Sequence, residues 1–368
     1  MSTDVKDKPK TNRSRFTPLT ITDIRPETRD AVVLTLEPPA DRADDFKFIQ
    51  GQYLTFRREF EGEELRRSYS ICSGIHDNQL RVGIKKVDGG WFSTWANDEL
   101  KVGDTLDAMA PMGKFYAPLD PDAERLYYCF AGGSGITPMV SIIRTVMQAE
   151  PKSRVVLVYA NRSINSIMFK EELNDIKDQY LERFTLLNVL EMDSGDIDMF
   201  NGRVDAETCD QLFTSWLDPR EADYAFICGP EPMMLGIAAG LERHGMEKDK
   251  IKFELFKSVP PKKARTKTNV EKGGKKVRAT IIVDGQRRLM DMPASGASIL
   301  EAAMENKIDV PYSCRAGVCS TCSAKVIKGD VDMEVNYGLE DYEVERGFVL
   351  TCQSFPKSDE IVIDYDQH

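Results

Sequence analysis

The feature that most restricts this chain is the spacing of its last four cysteines. Cys314 is followed after four residues by Cys319, after two more by Cys322, and after a further 29 by Cys352. Three of them share one short loop, PYSCRAGVCSTC (311–322), and the fourth lies far along the chain. Two irons bridged by two sulfides need four terminal thiolates, and C-x4-C-x2-C with a distant fourth cysteine is the plant-type 2Fe–2S spacing. A structural zinc site favours two C-x2-C pairs, and this region holds only one. None of the three histidines, His76, His244 and His368, is near the loop, which excludes a Rieske centre. Gly317 allows the backbone to fold closely over the sulfurs, so that amides can point at them.

The chain has 368 residues, too many for one ordinary core and enough for two or three domains of about 100–150 residues each. With 41% apolar and 30% charged residues it reads as globular. A membrane span needs roughly 20 apolar residues, and runs such as 126–131 and 155–160 reach only six. The opening stretch, MSTDVKDKPKTNRSR, lacks the apolar segment of a secretory signal and reads as a disordered tail. Without such a signal, Cys72, Cys129, Cys209 and Cys228 are expected to stay unpaired and the protein to be cytoplasmic. A net charge of −11 argues against nucleic acid as a partner.

The pattern changes along the chain. After the tail (1–15), residues 16–118 read as short strands, with Leu80, Val82 and Ile84 alternating against Arg81, Gly83 and Lys85 as in a half-buried strand. This predicts an antiparallel β-barrel with one short helix after Gly89-Gly90. Over 119–257, strand-like runs (RLYYCFA, RVVLVYA, FTLLNVL, DYAFICG, IKFELF) alternate with helical windows (PMVSIIRTVMQA, IMFKEELNDIKDQY, EPMMLGIAAGLERHG), which predicts an α/β domain with a parallel sheet. Residues 258–276 are basic, contain Pro and Gly, and lack the apolar residues of a core, so they read as a flexible linker. Residues 277–368 return to short strands plus one helix, SILEAAMEN, and carry 16 Asp and Glu against 9 Lys and Arg. An acidic module on a basic strap fits either plain solubility or electrostatic docking.

A one-electron cluster cannot take hydride directly, so a flavin site and a nicotinamide site are expected upstream. RRSYS (66–70) places an Arg, an aromatic and hydroxyls on one strand, a set that suits phosphate, ring face and ring nitrogen but that an ordinary surface strand explains more commonly. By alternation, Arg67 and Tyr69 share one face and Ser68 and Ser70 the other, unless the strand twists or ends there. DGGWFS (88–93) offers glycines opening a helix, where phosphate binds, though an ordinary turn and cap fits it equally well. FAGGSGITPM (130–139) follows a strand and opens a helix, with Thr137 expected at the N-cap and Pro138 at the first helical position. It is neither G-x-G-x-x-G nor a Walker loop, and its glycines suit the approach of a pyrophosphate. ICGPEPMM (227–234) ends another parallel strand, placing Cys228 where ligands bind in such sheets, or simply as a buried structural thiol. YANRS (159–163) ends the second strand of this domain. There an acid would favour NADH and an Arg suits NADPH; the residue is Arg162, with Arg203 as a second candidate, and a plain solvated loop arginine is the alternative.

Taken in order, RSYS, DGGWFS, GGSGITP, CGPEPMM and FELF resemble the ferredoxin–NADP⁺ reductase superfamily. With a C-terminal plant-type ferredoxin, the whole resembles a class of oxygenase reductases. The resemblance spans residues 16–366. It implies an FAD-binding β-barrel, an NADPH-binding α/β domain and a β-grasp ferredoxin domain. It implies that Arg67 holds the flavin pyrophosphate, Tyr69 lies against the isoalloxazine and Ser70 reaches N5. Gly90, Trp91, Phe92 and Ser93 would surround the diphosphate. Gly133, Gly135 and Thr137 would line the nicotinamide nucleotide site, with Cys228 beside the nicotinamide and Phe256 over the other flavin face. The cofactor-contacting set also takes in Ile84, Lys85, Ser134, Gly229, Pro230 and Met233. By the same resemblance Ser70, Cys228 and Glu254 would form the catalytic set, and Cys314, Cys319, Cys322 and Cys352 are expected to hold the cluster. The implied activity is NADPH-dependent reduction of FAD, then single-electron transfer through the cluster to a separate oxygenase. A stand-alone NAD(P)H oxidase or quinone reductase, and an NADH-using reductase of a Rieske oxygenase, are the rival readings.

Overall fold

The computed structural model describes residues 15–193, 198–256 and 276–367. The expected tail thus lies outside the described residues except for Arg15, and the expected linker except for Lys276. Arg15 is anchored: it pairs with Asp284 and donates to the Asp309 carbonyl at 2.8 Å.

The first part contains β1 (Thr17–Thr28), β2 (Ala31–Glu37), β3 (Tyr53–Phe60), β4 (Glu63–Ser70), β5 (Leu80–Lys85), α1 (Trp91–Asp98) and β6 (Thr105–Ala108). Its antiparallel sheet runs β4-β3-β6-β1-β2-β5, and an Ile71–Val82 bridge joins the two edges into a barrel. Leu19, Ile21, Leu34, Leu54 and Phe56 fill it, and Phe92 and Trp95 of α1 close one end. The expected half-buried strand at β5 is instead buried from Leu80 through Ile84. The reason is tertiary: a Cβ at Gly83 would come within 2.8 Å of the Thr137 side chain and 3.4 Å of Phe169, because the second domain packs on this outer face.

The second part contains β7 (Leu126–Gly132), α2 (Ile136–Ala149), β8 (Arg154–Asn161), α3 (Lys170–Gln179), β9 (Phe184–Leu190), α4 (Ala206–Ser215), β10 (Tyr224–Gly229), α5 (Glu231–Arg243) and β11 (Ile251–Leu255). The parallel sheet runs β11-β10-β7-β8-β9. The chain winds outward from β7 and then returns to its other side, so the crevice between the carboxyl ends of β7 and β10 is the switch point where such sheets bind ligands. α3 starts at Lys170, later than its apolar pattern suggests, because Phe169 adopts φ +56°. Glu27 of the barrel accepts the Phe169 N–H at 2.6 Å, so a residue of the first domain satisfies one of the free amides at this helix start. Nearby, Arg81 of the barrel meets Glu172 at 2.9 Å and Arg144 of α2 meets Asp77 of the barrel at 2.7 Å, locking barrel and α/β domain together.

The third part contains β12 (Lys276–Val283), β13 (Gln286–Pro293), α6 (Ile299–Glu305), β14 (Ser323–Lys328), β15 (Val331–Met333), α7 (Asp341–Glu345), β16 (Phe348–Leu350), β17 (Ser354–Pro356) and β18 (Glu360–Asp364). Its main sheet runs β13-β12-β18-β14-β16 with β12 and β18 parallel, the β-grasp arrangement. α6 starts with a reciprocal capping box between Ser298 and Glu301 and buries Ile299, Leu300, Ala302 and Ala303 against the sheet. The sequence reading expects one helix here, and the structure adds the five-residue α7. So short an element carries too little apolar periodicity to read from sequence. Among the described residues no helix is long and apolar enough to cross a membrane.

Candidate functional site

All three parts meet around one cavity of about 390 Å³, within the range of cofactor pockets. β4 brings Arg67, Ser68, Tyr69 and Ser70 to its wall, and the turn into α1 brings Gly90, Trp91, Phe92 and Ser93. The alternation expected in RRSYS gives way because β4 ends at Ser70. The end of β11 and the residue after it contribute Glu254, Leu255 and Phe256, and the cluster loop contributes Ser313, Cys314, Val318 and Cys319.

The Arg67 guanidinium donates to its neighbour's carbonyl, that of Arg66, at 2.7 Å, and no carboxylate among the described residues pairs with it. Burial depresses its pKa, so a desolvated cation faces the cavity without an acid beside it. That is the local chemistry a pyrophosphate would satisfy. Tyr69 packs against Phe56 and Phe92 with centroids 6.3 and 5.6 Å apart, which fixes its ring in the wall. Ser93 spends its hydroxyl within the turn, accepting from the Val87 amide at 3.1 Å and donating to the Gly90 carbonyl at 3.2 Å. Its part is to shape the glycine turn. Phe92 is 1% exposed and belongs mainly to the barrel core, whereas Trp91 is 41% exposed.

Ser70 donates to the Glu254 carboxylate at 3.1 Å, joining the barrel to the last strand of the parallel sheet. Part of Glu254 reaches the cavity, yet desolvation pushes its carboxyl up to about 7, against a smaller opposing effect of the Ser70 hydrogen bond. Cys228 stands opposite Glu254 in the β10–β11 register but is wholly buried in the core rather than lining the cavity, and burial pushes its thiol well up.

The glycine turn after β7 departs from expectation in two ways. α2 begins at Ile136 with Gly135 as its N-cap, so Thr137 and Pro138 are its second and third residues. Proline is tolerated there because the first-turn amides have no partner within the helix, and Thr137 donates its hydroxyl back to the Ser134 carbonyl at 3.0 Å. The glycines are also not all for a ligand. A Cβ on Gly135 would lie 2.1 Å from the Cys228 carbonyl oxygen, and one on Gly132 would lie 2.6 Å from Pro230. Those two let the ends of β7 and β10 touch. Gly133, at φ +54° with nothing within 4 Å of its Cβ position, is the one that leaves open space.

Of the remaining expected residues, Ser134, Thr137 and Lys85 line the cavity. Ile84 is buried in the barrel core, and Lys85 lies 3.8 Å from Asp30. Gly229, Pro230 and Met233 sit at the switch point behind Gly132. Arg162 is exposed just past the end of β8, and no carboxylate among the described residues pairs with it. Arg203 differs: Glu191 holds it at 2.9 and 2.7 Å.

Cys314 and Cys319 face each other within the loop, the amide of each donating to the other's sulfur at 3.4 Å, and Cys322 neighbours Cys352 in the turn after β16. Two thiolates per iron is the division a two-iron core needs. Contact with the Cys319 thiol, and amides from Ala316 and Cys319 at 3.3 and 3.4 Å from the Cys314 sulfur, draw that thiol down to about 6. All eight cysteines are free.

Tyr53 on β3, unremarked in sequence, ties the cluster loop to the barrel. Its buried hydroxyl donates to the Cys319 carbonyl and shares a 2.9 Å hydrogen bond with Thr321. Ser68 and Ser313 meet at 2.8 Å beside it. No local pattern marks Tyr53, because its partners lie more than 260 residues away.

Comparison with known proteins agrees with this three-part construction. Family models for an oxidoreductase FAD-binding domain, an oxidoreductase NAD-binding domain and a 2Fe–2S iron-sulfur cluster binding domain match residues 18–116, 130–239 and 281–357. The chain belongs to the family of oxygenase reductases that join FAD, NAD and 2Fe–2S domains, and it is an electron-transfer oxidoreductase of that kind. It is 41% identical over 353 residues to a component of the 1,2-phenylacetyl-CoA epoxidase of Escherichia coli (strain K12), covering 95% of this chain and 98% of that one. It is 31% identical over 358 residues to the 3-ketosteroid-9-alpha-monooxygenase ferredoxin reductase component of Rhodococcus rhodochrous, covering 96% and 97%. The structure of phthalate dioxygenase reductase superposes with a TM-score of 0.58 at 25% identity, covering 95% and 98%.

Proposed function

We propose that this chain takes reducing equivalents from NADPH and hands them singly to a separate oxygenase. The observation that carries this reading is the convergence at one cavity of the Arg67–Ser70 strand, the Ser70–Glu254 hydrogen bond and the Cys314–Cys319 loop. A bound FAD would supply the conversion of hydride into single electrons.

Arg67 holds the pyrophosphate as the unpaired cation of the site, the Gly90 turn gives it room, and Tyr69 forms the wall beside the ring. Ser70 presents its hydroxyl to the ring edge, and Glu254 orients that hydroxyl. With a pKa near 7, Glu254 is also able to hold or release a proton there under ordinary conditions. Phe256, a 45% exposed residue of the cavity lining, would cover the other face of a bound flavin. Gly133 and Thr137 border the nicotinamide nucleotide, and buried Cys228 backs this site through the strand end that Gly135 touches. Arg162 meets the 2′-phosphate. Arg203, already held by Glu191, is the lesser candidate. Cys314, Cys319, Cys322 and Cys352 hold the cluster. Catalysis is chiefly the orientation of groups within reach of one another.

The match to the E. coli epoxidase component favours an aromatic CoA-thioester epoxidase as the acceptor. Anaerobic titration with NADPH, then NADH, tests the reading through visible absorbance. Bleaching of flavin and cluster bands at about three electrons per chain supports it. Both cofactors present but bleached by neither nicotinamide overturns it.

A further inference from the structure

The strand that carries the flavin-site residues also grips the cluster loop. Along β4, Arg67 and Tyr69 line the cavity, whereas Arg66 does not. Its side chain turns instead to residues 309–313, the segment that leads into the Cys314 loop. The Arg66 guanidinium lies over the Tyr312 ring, 3.9 Å from its centroid, with the Phe16 ring at 4.9 Å. Glu64 accepts from Arg66 at 2.8 Å and from the Tyr312 hydroxyl at 3.4 Å, so one carboxylate serves both sides of the joint. The Asp309 carboxylate and the Val310 carbonyl stand 3.4 and 3.5 Å from the guanidinium. Two residues along β4, Ser68 meets Ser313 at 2.8 Å. Arg66 is only 6% exposed, and a cation buried to that degree is kept only where its surroundings are built for it. Its partners outside the barrel, Asp309, Val310 and Tyr312, all come from the short segment before Cys314.

We propose that Arg66 is a positioning residue for electron transfer: by clamping Tyr312 it sets the register of the Cys314 loop against the strand that lines the flavin site. Adjacent residues of one strand thereby fix the two sites relative to each other, Arg67 at the cavity and Arg66 at the loop. β4 pairs with β3 along its whole length, so it holds both as a rigid bar. A cation over an aromatic ring is strongest where water is shut out. A guanidinium is the group for this place, because its plane stacks on the ring while its edge serves Glu64. The inference rests on the proposed passage of electrons from the flavin site to the cluster within this chain.

The test uses the full-length holoprotein and two measurements, one of which needs no turnover. Hydrogen exchange of residues 309–322 in the oxidised protein reads the seating of the loop. Stopped-flow absorbance separates bleaching of the flavin from bleaching of the cluster. Arg66→Met should raise exchange over 309–322 about tenfold and leave β12 and β18 unchanged. It should also slow cluster bleaching about tenfold, because the rate follows the fraction of molecules with the loop seated, while the flavin phase and the visible spectrum stay as in wild type. Arg66→Lys, which keeps a cation for Tyr312 and Glu64, should recover most of both changes. Tyr312→Leu removes the same contact from the far side, so it should match Arg66→Met, and the double variant should be no worse than either single one. Wild-type exchange and wild-type cluster bleaching in Arg66→Met would overturn the proposal. So would faster exchange throughout the C-terminal domain, the mark of a residue that merely stabilises the fold. If Arg66→Met fails to retain flavin, Tyr312→Leu decides by the same two measurements. If nicotinamide bleaches no flavin in the wild type, it is the proposed function that fails, and exchange of the loop still decides the role of Arg66.

Discussion

At the scale of single residues, the proposed function draws on ionisable groups whose surroundings set their charge. Glu254 is the clearest case. Its folded pKa of about 7 lies above the ordinary 4.5 of a glutamate, so the native state binds the proton more tightly than the unfolded chain. Below the unfolded value this group costs nothing. As pH rises from about 4.5 to 7 the native state must either keep a proton or bury a charge, and stability falls across that window. Glu254→Gln is expected to flatten that part of the stability profile, measured by urea unfolding of the apoprotein from about pH 4.5 to 8. An unchanged slope would place the titration elsewhere. Arg162 presents the opposite case, an exposed cation without a carboxylate partner among the described residues. Arg162→Ala should lower kcat/KM for NADPH by about tenfold or more while leaving NADH nearly unaffected, since a charged hydrogen bond to phosphate contributes ~1.5–3 kcal/mol. An unaltered ratio of the two would return the preference to Arg203 or to neither.

At the scale of elements, the glycine turn between β7 and α2 shows how one motif answers two demands. Gly133 leaves open space, while Gly132 and Gly135 let the ends of neighbouring strands close up. Gly135→Ala would press a methyl group to 2.1 Å from the Cys228 carbonyl, a backbone atom that cannot swing aside. We expect a loss of about 1–3 kcal/mol together with weaker nicotinamide binding, read by thermal unfolding and by titration of the same protein. A stable variant with normal binding would mean that the strand ends have slack the structure does not show. The β5 strand makes a related point. Its alternation is a true property of the chain, but its outer face is buried all the same, because Gly83 permits Thr137 and Phe169 to approach.

At the scale of the whole molecule, three domains share one cavity, and Tyr53 pins that arrangement together. Its hydroxyl reaches from β3 to the cysteine loop. Tyr53→Phe keeps the ring against Gly113 and removes the hydrogen bonds to Cys319 and Thr321. Cluster reduction should slow severalfold, in keeping with about 1 kcal/mol per lost bond, while reduction of the flavin by nicotinamide keeps its rate. Stopped-flow absorbance separates the two phases. Slowing of both would mean that Tyr53 shapes the flavin site as well as the docking.

What the sequence determined by itself was everything set by spacing and periodicity. The Cys314–Cys322 loop with Cys352, the alternation of β7 to β11 with helices, and the order of the RSYS, GGSGITP and CGPEPMM motifs are local patterns, and local patterns survive in one dimension. The five-residue α7 and the start of α3 were not legible, because the first is too short for periodicity and the second is set by Glu27 from another domain. Only the tertiary structure decided which motif residues share a cavity. It placed Ser70 on Glu254, kept Cys228 inside the core and spent the Ser93 hydroxyl on its own turn. It also seated the acidic C-terminal domain on the lysines of its own reductase. Most of these are contacts between residues distant in sequence, and all were decided by packing and desolvation, which leave no signature in the neighbouring residues.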